Sequence, residues 1–332
     1  MPSHIDELIA KAKKDPKKIV LPEGKEPRVL KAANTLTAEG IAKIILIGSE
    51  SEIKKEAGEN SVSLDKIRII NPENYDRIGE MVDIFYNSRK HKGITRSDAE
   101  SAVLGNRVYF GALLTKLNLA DGFVAGASHT TSNVARAALY CLGLDREIGV
   151  MSSSFIVELE NSAYGDEGLF IFGDCGIVPD PNPNRLAGIA ISSSRLYENF
   201  FKRKPHVALL SYSTKSSARG DSVDKVLKAL EMIRKKAPGL LVDGELQLDA
   251  AIVPEVAKIK APGSRVAGKA NVLIFPNLDA GNIAYKLVQR LGNARVVGPL
   301  LQGLTKPCSD LSRGCRVEEI IDTVAITVVR AQ

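Results

Sequence analysis

Residues 17–48, KKIVLPEGKEPRVLKAANTLTAEGIAKIILIG, decide the fold class. Lys17 to Pro22 is an apolar run without polar alternation. It reads as a strand buried on both faces, ended by Pro22-Glu23-Gly24. From Arg28 to Glu39, the residues Val29, Ala32, Ala33 and Leu36 recur at helical spacing, and Gly40 stops the helix. Lys43 to Gly48 is a second apolar run. Strand, helix and strand at this spacing make a βαβ unit, which predicts a mainly parallel sheet with covered faces.

The alternation continues outward from this stretch. Lys66 to Ile70 reads as another strand, and Met81 to Lys92 as a helix ending in Arg89-Lys90-His91-Lys92-Gly93. Such a cationic end either complements the helix dipole or receives the phosphates of a nucleotide-like ligand. Gly122 to Gly126 is a short strand rising into Ala127-Ser128-His129-Thr130-Thr131-Ser132, with a helix from Asn133 onward. Small and hydroxylic residues between a strand's end and a helix's start make a phosphate cradle, although Thr131 or Ser132 serves equally well as an N-cap. His129 reads as a hydrogen-bonded structural residue rather than a general base.

A second α/β region is expected from about Gly149. Leu169 to Cys175 is a strand, followed by the rigid turn Pro179-Asp180-Pro181-Asn182-Pro183 and a helix. Val207 to Lys215 is a strand running into a hydroxyl-rich loop. Further on come Val242 to Gln247 and the strand Val272 to Phe275. Pro276 to Ile283 then opens a helix carrying Tyr285, Leu287 and Val288. Asp279 and Asn282 are candidate caps there, and Asn282 is also a candidate to line a site. Arg295 to Leu300 is a final strand leading to residues 303–319, GLTKPCSDLSRGCRVEE.

This last stretch places Ser312, Arg313, Glu318 and Glu319 immediately before an apolar helical run, Ile320-Ile321, Val324-Ala325-Ile326 and Val328-Val329. Gly314 is expected to permit a turn that a side chain would obstruct. A helix starting near Arg316 would aim its free N–H groups at whatever Ser312 and Arg313 hold. The other reading is an ordinary loop whose two glutamates compensate a helix dipole.

The 332 residues suggest about two domains. A hydrophobic content of 44% with 25% charged residues describes an ordinary globular composition. The net charge of +6 suits anionic substrates, but the basic residues are scattered and tryptophan is absent, so nothing points to nucleic acid. Cys141, Cys175, Cys308 and Cys315 are too few and too irregular for a disulfide framework or a zinc site, and the four histidines form no ligand spacing. Free thiols and no metal are expected. Residues 1–18 alternate charges with Ile5, Leu8, Ile9 and Ala12, which reads as an amphipathic helix rather than a signal peptide. No apolar run is long enough to span a membrane, so a cytoplasmic enzyme is the expectation.

Residues 306–315, KPCSDLSRGC, followed by two carboxylates and a helix, resemble the C-terminal motif of phosphate acetyltransferases (phosphotransacetylases). The turn around His129-Thr130-Thr131, the Asp174-Cys175 segment, Ser213-Thr214-Lys215 and Asn277 to Ile283 resemble further signatures of that family, in the same order. The resemblance covers nearly the whole chain. It implies two α/β domains like those of isocitrate and isopropylmalate dehydrogenases, with the active site in an interdomain cleft. Residues 1–148 with 303–332 would form the first domain and residues 149–302 an inserted second one. It also implies reversible transfer of an acetyl group between phosphate and coenzyme A, with coenzyme A a substrate, no cofactor, and a homodimer.

Carried over by resemblance, Arg313 would bind the phosphate oxygens and Ser312 would donate to the reacting carbonyl or phosphate. Arg89 would bind coenzyme A and Arg136 would bind the substrate or coenzyme A, with Ser128, Thr130, Thr131 and Asn282 lining the site. The family's general base is an aspartate four residues after the motif cysteine, and here that position is Glu319. A carboxylate of ordinary pKa, ~4.3, is a weak base for a thiol of ~8.5, so burial would have to raise it. Cys315 reads as packing, because acyl transfer to a diffusible thiol needs no enzyme thiol. The alternatives are a phosphate butyryltransferase and a non-catalytic acetyl-coenzyme A sensor.

Overall fold

The structure, a computed structural model, describes residues 3–160 and 162–332. It divides into two compact units: the residues up to Leu144 together with Leu304–Gln332, and Asp145–Gly303. The first unit runs α1 (His4–Lys14), β1 (Lys18–Leu21), α2 (Pro27–Ala38), β2 (Lys43–Ile47), α3 (Glu50–Glu59) and β3 (Arg68–Ile70). It continues through α4 (Ile78–Arg89), α5 (Arg96–Gly105), α6 (Arg107–Lys116), β4 (Gly122–Ala125) and α7 (Thr131–Ala137). The second unit holds β5 (Ser152–Glu158), β6 (Leu169–Gly173), α8 (Pro183–Phe201), β7 (His206–Leu210), α9 (Asp221–Lys236) and β8 (Leu241–Leu246). After these come α10 (Leu248–Ile252), α11 (Pro254–Lys260), β9 (Val272–Ile274), α12 (Leu278–Arg290) and β10 (Arg295–Gln302). The chain then re-enters the first unit as β11 (Cys308–Asp310) and α13 (Val317–Ala331).

In the first unit the strand order is β3-β2-β1-β4-β11, and every pair is parallel. A Cβ at Gly122 would meet Thr327 of α13 and Ile19, whereas a Cβ at Gly111 of α6 would meet Val20. Ile19 and Val20 are successive strand residues and so face opposite sides. The helices α13 and α6 therefore cover opposite faces of the sheet. This is why β1 and β2 are continuous apolar runs rather than alternating ones. On the α13 side, Ile320, Val324, Ala325 and Val328 are buried, and α1 and α2 pack beside that helix.

In the second unit the order is β10-β5-β6-β9-β7-β8, antiparallel at β10/β5 and β5/β6 and parallel beyond. Its core gathers Phe155, Val157, Phe170, Phe172, Leu273 and Phe275.

Several details differ from the sequence pattern. The helices α5 and α6 were not expected. They abut at Asn106, which caps α6, and α6 is buried along nearly its whole length, so no polar face marks its period. Strand β5 begins with Ser152, Ser153 and Ser154, all buried, and their hydroxyls disguise it. The cap of α7 is Thr130, whose Oγ1 accepts from the Asn133 amide, and not Thr131 or Ser132. The cap of α12 is Asn277, whose Oδ1 accepts from Ala280, and not Asp279 or Asn282. Ser3 caps α1, while Met1 and Pro2, where the N-terminal helix was expected to begin, lie outside the described residues. Among the described residues no helix is long and apolar enough to cross a membrane, and all four cysteines are free.

Candidate active site

Because β1, β4 and β11 are parallel, the loops that follow them emerge along one edge of the first unit's sheet. The chain leaves β1 toward β2 on one side and enters β4 on the other. The gap beyond β1 and β4 is thus a topological switch point, where open α/β sheets receive ligands. Here the first occupant is a side chain of the protein itself. Glu23, buried just past the end of β1, accepts hydrogen bonds from the amides of Gly126 (3.0 Å), Ala127 (2.8 Å), Ser128 (2.7 Å) and His129 (3.0 Å). The Ser128 hydroxyl (3.0 Å) and His129 Nδ1 (2.7 Å) complete the set.

Burial pushes the Glu23 carboxyl up, but the bonds from His129 and Ser128 outweigh it and hold the group below its ordinary value. The strand–turn–helix pattern read as a phosphate cradle is corrected in one respect. Four amides that it offered to an anion are already taken by Glu23.

Arg28, in the first turn of α2, ties the next two loops together. Its Nε donates to Glu26 (2.7 Å), its Nη1 to the carbonyls of Arg313 and Cys315 (2.8 Å each), and its Nη2 to the Ala127 carbonyl (2.9 Å). A second bridge is shorter. Thr131 Oγ1 donates to Asp310 Oδ2 at 2.7 Å, joining the start of α7 to the end of β11. Gly126 lies between these bridges with φ +121°, against Asp310 and the Leu311 backbone.

The turn after β11 carries Ser312 and Arg313 on the surface. Ser312 Oγ accepts from the Gly314 amide at 3.3 Å, and its carbonyl accepts from the Cys315 amide at 2.9 Å. The Arg313 carbonyl is held by Arg28, while its exposed guanidinium has no ion pair among the described residues. Gly314 does not need to be glycine for its turn, contrary to expectation. A Cβ there would meet only Ser312 Oγ, at 3.9 Å. Cys315 is buried beneath the turn, and burial pushes its thiol up to about 11. Glu319, in the first turn of α13, accepts from the Arg316 amide at 2.9 Å, and its side chain is 19% exposed.

The structure thus brings Ser128, Thr130 and Thr131 beside the turn of Ser312 and Arg313. Two of the hydroxyl hydrogens are used internally, that of Ser128 on Glu23 and that of Thr131 on Asp310. Arg136 is exposed on α7, with Nε on the Ser132 carbonyl at 3.1 Å. Arg89, at the end of α4, lies 3.8 Å over the ring of Tyr140, in the turn that continues α7. Asn282 belongs to the second unit, where its amide donates to the Cys175 carbonyl at 3.2 Å and accepts from Lys286 at 2.8 Å. Among the described residues no cluster of His, Cys, Asp or Glu could hold a metal ion.

Glu23, Arg28 and Asp310 received no role from the sequence. Each had a signal: an acid at the end of a buried strand, an arginine opening the next helix, and an acid inside the motif itself.

A family model described as Phosphate acetyl/butaryl transferase matches residues 3–328. The phosphate acetyltransferase of Acetivibrio thermocellus is 48% identical over 330 residues, covering 99% of this chain and 98% of the relative. A solved phosphotransacetylase from Streptococcus pyogenes superposes with a TM-score of 0.91 at 40% identity, over 99% of this chain and 98% of that one. The fold alone is shared with the 4-hydroxythreonine-4-phosphate dehydrogenase of Klebsiella pneumoniae, 10% identical over 96% of this chain and all of that one, with a TM-score of 0.57. Motif, fold and full-length similarity agree, and the chain belongs to the phosphate acetyl/butyryl transferase family of acyltransferases.

Proposed function

We propose that this enzyme moves an acetyl group reversibly between acetyl phosphate and coenzyme A, by direct attack of the coenzyme A thiolate on the acyl carbonyl in a ternary complex. The observation that carries this is the exposed Arg313 guanidinium, without an ion pair among the described residues, beside the Ser312 hydroxyl on a turn whose backbone Arg28 holds at two carbonyls. Its planar fork matches phosphate oxygens. Ser312 supplies a donor for the oxygen on which charge develops. Glu319, one methylene longer than the aspartate of the resembled motif, takes the thiol proton.

In the forward direction the S–C bond forms as the C–O bond to phosphate breaks. The electron pair leaves on phosphate, and the proton passes to Glu319. The acyl phosphate is already activated, so the proposal calls for no further cofactor. Cys315 takes no covalent part, because a buried thiol held at about 11 is protonated at neutral pH.

Thioester formation from acetyl phosphate and coenzyme A, run beside butyryl phosphate, tests the reading. Arg313→Ala is expected to lower kcat/KM by about a hundredfold or more while the fold is retained. A preference for butyryl phosphate would keep the mechanism and change the substrate. Turnover that survives loss of Arg313 would sink it. Glu319→Gln is expected to reduce kcat by about 10²-fold or more through loss of the base. An unchanged maximal rate removes Glu319 from the role.

A further inference from the structure

Asp310 is buried at the end of β11, two residues before Ser312, and takes part in no ion pair among the described residues. Oδ2 receives the Thr131 hydroxyl, whereas Oδ1 is buried with no hydrogen-bond partner among the described residues. A buried carboxylate with an empty oxygen is costly, and a neutral acid in the same place is far less so.

The charged groups around it do not favour an anion. From the loop after β1 comes Glu23, itself an anion, which raises the Asp310 carboxyl further. From the loop after β4 come Thr131 and His129, and the histidine ring is engaged by Glu23. Arg28 spends its donors on Glu26 and three carbonyls. On β11 itself Cys308 is buried, and from α13 Arg330 donates to the Cys308 carbonyl at 2.7 Å. The Leu311 amide, next in the chain, gives its hydrogen to the Ala125 carbonyl at 2.8 Å.

We propose that Asp310 is a positioning residue that acts as a neutral acid, taking the Thr131 hydroxyl bond and so fixing the start of α7 against the turn of Ser312 and Arg313. Proton loss would put a second anion beside Glu23 and push the two loops apart. Substrate would then meet Ser312 and Arg313 out of place. This rests on the reading of those two residues as the anion-holding pair. Its physical support besides geometry is that burial pushes the Asp310 carboxyl up to about 7, offset only in part by the Thr131 hydroxyl and the nearby Leu311 amide.

The sign of the effect follows. A carboxyl raised in the folded state adds stability that is complete below its ordinary value, about 4, and is lost as pH rises through about 7. The experiment compares wild type, Asp310→Asn and Asp310→Ala in two measurements between pH 5 and 9. One is kcat/KM for acetyl phosphate, and the other is the urea midpoint of unfolding.

For wild type, kcat/KM is expected to fall by close to tenfold per pH unit above a midpoint near 7, relative to the profile of Asp310→Asn. Asp310→Asn keeps a neutral side chain of the same shape, so it should recover most of the activity lost in Asp310→Ala and lack that limb. In unfolding, wild type should lose stability relative to Asp310→Asn as pH rises from 5 to 8. An Asp310→Asn enzyme that is inactive at every pH overturns the proposal and makes Asp310 an obligatory anion, and one that keeps the wild-type alkaline limb overturns it by assigning that limb to another group. If wild type transfers no acyl group at all, the functional reading fails. The unfolding comparison then still decides the protonation state, and equal pH dependence in both proteins would overturn it.

Discussion

Alanine in place of Gly126 is expected to lower the free energy of unfolding by about 4 kcal/mol or more, a large part of the usual margin of a folded chain. The methyl group would lie 2.5 Å from the Leu311 carbonyl oxygen and 2.7 Å from the Leu311 nitrogen, and against Asp310 Oδ1. The two Leu311 atoms are backbone and cannot swing aside, and the Asp310 side chain is itself buried. The backbone also sits at φ +121°, which an L side chain resists on its own account. Relief would require β4 and β11 to separate at the edge where Arg313 is held. Urea denaturation with activity measured alongside checks the result. A stable, active Gly126→Ala protein would show that this edge is looser than its contacts imply.

The second large effect concerns Glu23. Removing its carboxylate with Glu23→Ala leaves four amides, a hydroxyl and an imidazole without their acceptor, and the expected loss is about 3 kcal/mol or more. The loop of residues 126–129 would lose its shape, and acyl transfer should fall with it. Acid provides a second handle. Glu23 is held below its ordinary value, so its stabilisation is complete above that value and is lost as pH falls through the depressed one. Glu23→Gln should therefore be less stable than wild type at neutral pH, and the gap should close in strong acid. Unfolding midpoints of the two proteins from pH 7 down to 2.5 measure the gap. A gap of constant size would mean that the charge contributes nothing.

The sheet-forming half of this molecule was legible because its strands bury both faces and leave unbroken apolar runs, as in Ile19-Val20-Leu21 and Ile44-Ile45-Leu46-Ile47. Helices with one wet face, such as α2, announced themselves equally well. What stayed hidden were segments whose chemistry contradicts their burial. Phe110 to Thr115 is buried all round and shows no period, and Ser152-Ser153-Ser154 places three hydroxyls inside a sheet. In the site, residues that face outward carry chemistry that a motif can display, as Ser312, Arg313 and Glu319 do. Glu23, Arg28 and Asp310 join the loops by bonding to backbone groups or side chains 99 to 287 residues away in sequence. Spacing along the chain carries no trace of such pairings. Gly314 illustrates the reverse error: a glycine in a motif was credited with a turn that almost any residue could make.

The parallel pairing of β11 with β4 also sets an order of events during synthesis. Nearly all of the first unit leaves the ribosome early, yet β4 must wait for its neighbour until the whole second unit has been translated. Until then the slot for α13 between α1, α2 and the sheet is open, with Ile19 and Leu21 lacking their final cover. The second unit, continuous in sequence, has no such wait. Nascent chains should thus carry a finished second unit and an unfinished first one, a state suited to chaperone capture. Catalytic competence would then arrive in a single late step, when Ser312 and Arg313 are drawn into place with the strand that precedes them.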